Sequence, residues 1–425
     1  MYINSMSLAT RNCTLRIYPT IKQKAALESW LELHRLLYNN CLAERRDVYK
    51  AEGRSVGYNE QQNALPQLKK NRPEYIPLGS HALQETVRRV DLAFKAFFRR
   101  VKEGQGKVGY PRFKGYGRFD SFTYPCVSGW KLLSLADGKG RLKIGKLGHF
   151  KARGRCRVNL IALDRKAMPR CTIRRRNGKW YATIGYKVEL SQLARPKAKA
   201  GSMAGLDAGL SKLGMLSDNA KVKRIRHMDR DADRIRQLQR EVSRKKKGSA
   251  NRRKAVSKLA AKHEKVQNRR KDYLHKQSAK LVSSYEFLAV EGLNVKSMMA
   301  KGGKRKRGLN RSMSDAALGM FLKLLASKAE EAGCEMVEVP PKDTTQACCN
   351  CGTIVPKSLY DRTHICSCGL IMDRDLNAAV NILLRGLTLA GREPSEVWRD
   401  IRPDHIRPAV LAKHETPSMR QHGGG

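Results

Sequence analysis

Five cysteines crowd into the run CCNCGTIVPKSLYDRTHICSC at 348–368. Cys348 and Cys351 form a C-x-x-C pair, fourteen residues intervene, and Cys366 and Cys368 form a tighter pair. Each short loop returns two thiolates to one point, so four of them at these spacings suit tetrahedral Zn²⁺ in a structural zinc ribbon. Asp373-Arg374-Asp375 follows at once. Ala378, Ala379, Ile382 and Leu383 then recur at helical spacing, which sets Asp375 in the first turn of a packed helix. Two other acids sit in apolar surroundings. Asp207 interrupts MAGLDAGL (203–210), where Gly205 and Gly209 leave room beside the carboxylate, and Glu291 ends EFLAVE (286–291).

A strand bearing Asp207, a later strand ending in Glu291 and a helix starting near Asp375 would bring three carboxylates to one sheet edge. Such a cluster is unfavourable unless divalent cations neutralise it, and oxygen-only donors favour Mg²⁺ or Mn²⁺. Two ions about 3.5–4 Å apart would activate water and stabilise a leaving 3′ oxygen in phosphodiester cleavage. Composition alone does not single out these three among 38 acids.

The elements that would carry these groups occupy the second half of the 425-residue chain. After a Pro-, Lys- and Ala-rich linker (191–202) comes the Asp207 strand, then a basic helical pair over about 228–283 that turns near RKKKGSANRRK (244–254). The Glu291 strand follows. The Gly- and Lys-rich stretch 296–314 is expected to be a loop, mobile unless bound, with a helix beginning at Ser314 or Asp315 and stopping at Gly333. The strand CEMVEVP leads into the cysteines.

The first half reads differently. Residues 11–18 alternate as a strand ended by Pro19, and two amphipathic helices follow, one through Leu27–Leu42 and one through Leu83–Val101. Their outward Arg45-Arg46, Arg88-Arg89 and Arg99-Arg100 pairs are candidates for phosphate contacts. Strands are expected at LKIGKL, RVNLIAL, CTIRRR and KWYATIGYKVE, the last two joined at Asn177-Gly178, and a small antiparallel barrel fits them best. Tyr110, Phe113, Tyr116, Phe119, Phe122 and Tyr124, interleaved with Lys107, Arg112, Lys114 and Arg118, suit either base stacking or a β-core with solvated charges.

Lys+Arg 86 against Asp+Glu 38 gives a formal net charge of +48, far beyond what solubility needs, so a polyanion is the expected partner. No run of eighteen apolar residues, signal-peptide core or lipidation motif points to a membrane, so a cytoplasmic, nucleoid-associated place is expected. Eleven cysteines are too sparse for a disulfide scaffold; the six outside 348–368 read as small core residues in a reducing compartment.

In order along the chain, GLDAGL, VEGLNV, TTQACCNCG and CGLIMDRDLNAAVNIL resemble the TnpB (OrfB) family of insertion-sequence proteins, relatives of type V CRISPR effectors. LRIYPTIKQKAALESW, KVGYPRFKG and RRRNGKWYATI extend the resemblance over roughly 11–390. It implies an RNA-guided DNA endonuclease of a transposable element, cutting beside a short adjacent motif. Asp207, Glu291 and Asp375 would be the catalytic metal ligands, and Cys348, Cys351, Cys366 and Cys368 would hold zinc. The fold implied is α+β and multidomain. A wedge-like β-barrel (1–19 and 107–199) carries an inserted helical recognition lobe (20–106). An RNase H-like (RuvC) α/β nuclease (200–343 and 371–390) carries an inserted zinc ribbon (344–370), and a poorly ordered tail (391–425) ends the chain. Guide RNA, target double-stranded DNA and its displaced single strand would be the partners, with one chain per RNA.

Two features depart from the family pattern or compete within it. The C-x-C pair is shorter than the C-x-x-C of many relatives, which leaves Cys349 or His364 as alternative zinc ligands. Asp373 competes with Asp375; the family's acid before x-N-A-A favours Asp375. Rival functions are a nuclease-inactive guided repressor, which should lack one of the three acids, and a strand-transfer transposase, which should join transposon ends without RNA.

Overall fold

The computed structural model describes residues 8–393, except 105, 107, 194, 197, 301, 302 and 359, with backbone alone at Lys304 and Arg305. The tail expected over 391–425 lies, from 394 onward, outside the described residues, as does Lys107. The chain divides into two compact units, Met1–Leu193 and Ala194–Gly425.

The first unit is built on β1 (Leu8–Tyr18), whose alternation buries Ala9, Cys13, Leu15 and Ile17. It is the middle strand of a seven-stranded antiparallel sheet with β2 (Ser121–Tyr124), β3 (Trp130–Ala136), β4 (Lys139–Ile144), β5 (Gly148–Arg153), β6 (Arg170–Arg176) and β7 (Lys179–Glu189), in the order β2-β6-β7-β1-β5-β4-β3. Asn177 (φ 49°) and Gly178 (φ 72°) make the tight turn between β6 and β7.

Helices α1 (Ile21–Glu52) and α2 (Ser80–Lys102) pack on β2. Thr20 and Gln23 close a capping box at the start of α1. Buried His34 stacks on Phe122 (5.1 Å) and hydrogen-bonds Thr86 (2.8 Å); burial, then the Arg89 charge, depress its pKa to about 3.

Three expectations for this unit are corrected. Among the described residues the sheet is open, because its edges β2 and β3 do not pair. Arg89 of α2 sits at β2 instead, donating to the Ser121 carbonyl (2.5 Å) and the Thr123 hydroxyl (2.8 Å), so a guanidinium takes groups a closing strand would use. The strand expected at 157–163 is a set of turns, since Asn159 Oδ1 accepts from Ile161 N (3.1 Å) and Asn159 O from Ala162 N (3.1 Å). Cys13 and Cys156 form a disulfide, with Cα atoms 5.7 Å apart, while Cys41 and Cys171 are buried free thiols.

The second unit contains a five-stranded sheet of β8 (Met203–Asp207), β9 (Gly214–Leu216), β10 (Lys221–Val222), β11 (Phe287–Glu291) and β12 (Glu335–Val339), ordered β10-β9-β8-β11-β12. The first three strands run antiparallel; β11 is parallel to both β8 and β12. Helices cover it on both faces, which explains the unbroken apolar run of β11. The basic pair is α3 (Ala232–Arg244) and α4 (Ala250–Ser284), tied at its base by Asp231, which pairs with Lys262 (2.5 Å) and Arg269.

The stretch 296–314 is largely helical rather than a loop. Helix α5 spans Lys304–Ala316, buries Met313 and Ala316, and is held by Arg224 on the Ser312 carbonyl (3.2 Å) and Arg270 on the Ser314 carbonyl (3.0 Å). Ala317 (φ 53°) then breaks the chain before α6 (Leu318–Ala332), so no helix begins at Ser314 or Asp315. Among the described residues, no helix is long and apolar enough to cross a membrane.

Helix α7 (Arg374–Leu389) lies against β8 and β11. Glycine makes that approach possible: a Cβ on Gly205 would stand 2.1 Å from the Ala379 carbonyl oxygen and 2.6 Å from Leu383 N, and one on Gly386 would stand 2.4 Å from the Ala289 Cβ. The room at Gly205 therefore goes to the helix, not to the carboxylate beside it. Gly205→Ala should destabilise the protein by about 1–3 kcal/mol, because helix backbone must retreat. Denaturant unfolding at the wild-type midpoint reads this; an unchanged midpoint contradicts it.

Candidate active site and thiol cluster

Parallel register decides where two acids end. Val290 pairs with Leu206, so the next residues, Glu291 and Asp207, finish neighbouring strands at the same edge of the sheet. Helix α7 brings its first turn there. Asp373 is its N-cap, its Oδ1 accepting from Asp375 N (2.7 Å) and Leu376 N (3.3 Å), and this sets the Asp375 side chain in the first turn, two residues past the cap. Asp207, Glu291 and Asp375 line one cavity of about 580 Å³, together with Lys212, Lys357, Arg362 and Arg374.

Burial, then the charges of Glu291 and Asp375, push Asp207 up to about 7. Burial also raises Glu291, against the pull of Thr344, whose hydroxyl donates to Glu291 Oε1 (2.5 Å), and of Arg385. The three carboxylates do not form one tight shell. Among the described residues, the thiol cluster is the one Cys/His/Asp/Glu group whose ligand atoms all lie within 4.8 Å of one another. Cations stand at Asp375 instead: Lys212 Nζ is 3.6 Å from its Oδ2 and Arg374 Nη2 3.5 Å from its Oδ1. Oxygen-only donors, strained by mutual repulsion, fit a hard divalent cation.

The thiols of Cys348, Cys351, Cys366 and Cys368 converge, with Cys348–Cys368 Sγ atoms 3.7 Å apart and Cys351–Cys366 3.5 Å. A tetrahedron of sulfurs about 2.3 Å from a zinc ion has edges of about 3.8 Å, so the spacing fits. Hydrogen bonding to Thr353 draws the Cys351 thiol down to about 6, and burial pushes Cys348 up to about 12. Both knuckles turn through a left-handed glycine, Gly352 (φ 78°) and Gly369 (φ 88°), and the shorter C-x-C spacer still delivers both sulfurs. Neither alternative joins them: Cys349 Sγ packs on Met372 Sδ (3.6 Å) and buried His364 faces Lys357.

Residues that motif reading passed over hold the two sites together. Asn377 Oδ1 accepts from Cys349 N (3.0 Å) and its Nδ2 donates to the Ala347 carbonyl (2.8 Å). Asn381 Nδ2 donates to the carbonyls of Thr344 (3.0 Å) and Ala347 (2.7 Å). One helix thus carries Asp375 and grips the segment that carries both Thr344 and the first knuckle. Two asparagines four apart in the otherwise apolar run NAAVNILL (377–384) were the available signal; Thr344 and Lys212 have none.

In the first unit, the aromatic run divides. Tyr110, Phe113 and Tyr116 are exposed, with the Arg46 guanidinium 5.2 Å from the Phe113 ring centre, whereas Phe119, Phe122 and Tyr124 are core. The arginine pairs divide likewise: Arg45 is buried on Gln61 (2.8 Å), Arg89 is spent on β2 and half-buried Arg100 donates to the Ala96 carbonyl (3.0 Å), which leaves Arg46, Arg88 and Arg99 facing outward.

Three family profiles match the chain. OrfB_IS605, described as "Probable transposase", covers 183–301; "Cas12f1-like, TNB domain" covers 319–382; and an OrfB_IS605 "Helix-turn-helix domain" covers 6–54, where the structure has β1 and the single helix α1. A Streptomyces pristinaespiralis protein named "Putative RNA-guided DNA endonuclease" is 32% identical over 391 residues, 90% of this chain and 90% of that one. InsQ of Escherichia coli K12, given the same description, is 28% identical over 87% of this chain and 91% of its own. The protein of a Cas12f1–sgRNA–target DNA complex shares the fold, at TM-score 0.50 and 11% identity over 88% of this chain and 98% of that one.

Two outcomes follow from the geometry. Purified protein should carry one equivalent of zinc by elemental analysis, lost in the Cys348→Ser/Cys351→Ser double variant; well-folded wild type without zinc would sink that assignment. Asn381→Leu strips the Thr344 carbonyl of its side-chain donor and leaves Ala347 only that of Asn377, and should cost about 1–3 kcal/mol in thermal or denaturant unfolding; a neutral substitution would show that Asn381 does not hold the knuckle.

Proposed function

Because the chain belongs to the TnpB (OrfB) family of insertion-sequence proteins, we propose that it is an RNA-guided DNA endonuclease that cuts by metal-dependent phosphodiester hydrolysis. One observation carries the chemistry: Asp207 and Glu291 end adjacent parallel strands, and α7 delivers Asp375 to the same cavity. Three antiparallel strands followed by two parallel ones, with α7 on the sheet, support an RNase H-like (RuvC) nuclease over 200–343 and 371–390, interrupted by a zinc ribbon at 344–370.

Mg²⁺ or Mn²⁺ on Asp207, Glu291 and Asp375 would supply an activated water and stabilise the leaving 3′ oxygen. The chain's own groups prepare that site. Thr344 fixes one oxygen of Glu291, and the Asp373 cap orients the first turn bearing Asp375. Lys357, Arg362 and Arg374 give the cavity a cationic lining that suits a phosphodiester backbone. Cys348, Cys351, Cys366 and Cys368 hold a structural Zn²⁺ that keeps the segment around Thr344 in place.

The wedge-like domain (1–19 and 107–199) and the helical lobe (20–106) grip the scaffold of a guide RNA and read a short motif in duplex DNA. Sequence choice rests on guide–target pairing. The net charge of +48 and the outward Arg46, Arg88, Arg99, Tyr110, Phe113 and Tyr116 support this reading. One chain acts per RNA, at the nucleoid, on target double-stranded DNA and its displaced strand.

Asp207→Ala tests the assignment. Cleavage of a guide-matched target should fall more than about 10³-fold, while guide RNA and target affinity stay within about twofold. Loss of RNA binding in that variant would make Asp207 a structural residue and remove the catalytic reading.

A further inference from the structure

Lys212 sits in the short connection between β8 and β9, and its ammonium lines the carboxylate cavity. Nζ lies 3.0 Å from Asp373 Oδ2 and 3.6 Å from Asp375 Oδ2, and the side chain is 27% exposed. The backbone that bears it is fixed on both sides, by Arg224 donating to the Leu210 carbonyl and by Leu213 N donating to the Val222 carbonyl (2.9 Å). Its two partners differ in freedom. Asp373 caps α7 through its other oxygen and is pinned, whereas Asp375 is one of the acids that would bind a divalent cation.

We propose that Lys212 is the built-in counter-ion of the carboxylate cluster and competes with the divalent cation for Asp375. Without metal, the ammonium stands against Asp375 and offsets the repulsion from Asp207 and Glu291. When a cation takes Asp375, Lys212 retreats to Asp373, its permanent anchor. Lysine suits that exchange: it is a point charge on a flexible four-carbon stem, so it moves between oxygens without losing a fixed fork of bonds. Metal affinity is thereby held below what three carboxylates alone would give. The inference rests on the proposed metal site.

The test is direct titration with Mn²⁺ of the full chain without nucleic acid, free Mn²⁺ being counted by electron paramagnetic resonance, for wild type, Asp207→Asn and Lys212→Met. Lys212→Gln, which keeps a hydrogen bond to Asp373 but no charge, serves as a second variant should Met disturb folding. The Asp207-dependent site should bind Mn²⁺ on the order of tenfold more tightly in either Lys212 variant, since a like charge a few ångströms from the ion is gone. Asp207-dependent binding that is unchanged or weaker in both Lys212 variants overturns the counter-ion and leaves the metal site standing. No Asp207-dependent binding in any protein overturns both.

Discussion

Asp207, Glu291 and Asp375 repel one another across one cavity, and much of the second unit serves to keep them there. Parallel pairing of β8 and β11 puts two of them side by side. The third arrives on α7, which reaches the sheet only because Gly205 and Gly386 leave no side chain in the way. Asp373 fixes where that helix starts, and Asn377 and Asn381 tie it to the thiol-bearing segment. The raised pKa of Asp207 is the local sign of this conflict. A charge cluster that burial opposes is one that a bound cation would relieve, which is the role proposed for these acids.

The two groups of candidate metal ligands differ as the roles proposed for them would require. The thiols are compact enough for one soft-ligand tetrahedron and lie where backbone turns demand a fixed shape. The carboxylates are looser and face an open cavity with cations beside them, as a site must that exchanges water, metal and phosphate. Thr344 links them, because it orients Glu291 while its carbonyl is held from the helix that bears Asp375.

Much of this was legible in the sequence where local pattern and tertiary role agree. Apolar runs interrupted by one acid mark β8 and β11, and the basic helical pair turns at 245–249, within the stretch its composition suggested. Legibility failed where distant contacts decide. The sheet stays open where Arg89 occupies the β2 edge, and the 157–163 strand loses to an Asn159 side chain that bonds its own backbone. Helix α5 has a polar, glycine-containing sequence that buries only Met313, Asp315 and Ala316 among its described residues and is held by arginines elsewhere in the fold. Lys212 meets Asp373 161 residues away and Thr344 meets Glu291 53 away, so nothing local announces either.

The central claim is that a guide directs the cut, and the most direct measurement is to express the chain with its flanking genomic DNA and sequence the RNA that co-purifies. The account predicts one abundant RNA with a constant scaffold and a variable 3′ end, whose variable part names a target that is then cut in Mg²⁺. Heterogeneous cellular RNA, with no cleavage directed by any of it, would contradict the account and leave the +48 charge as unspecific affinity for nucleic acid.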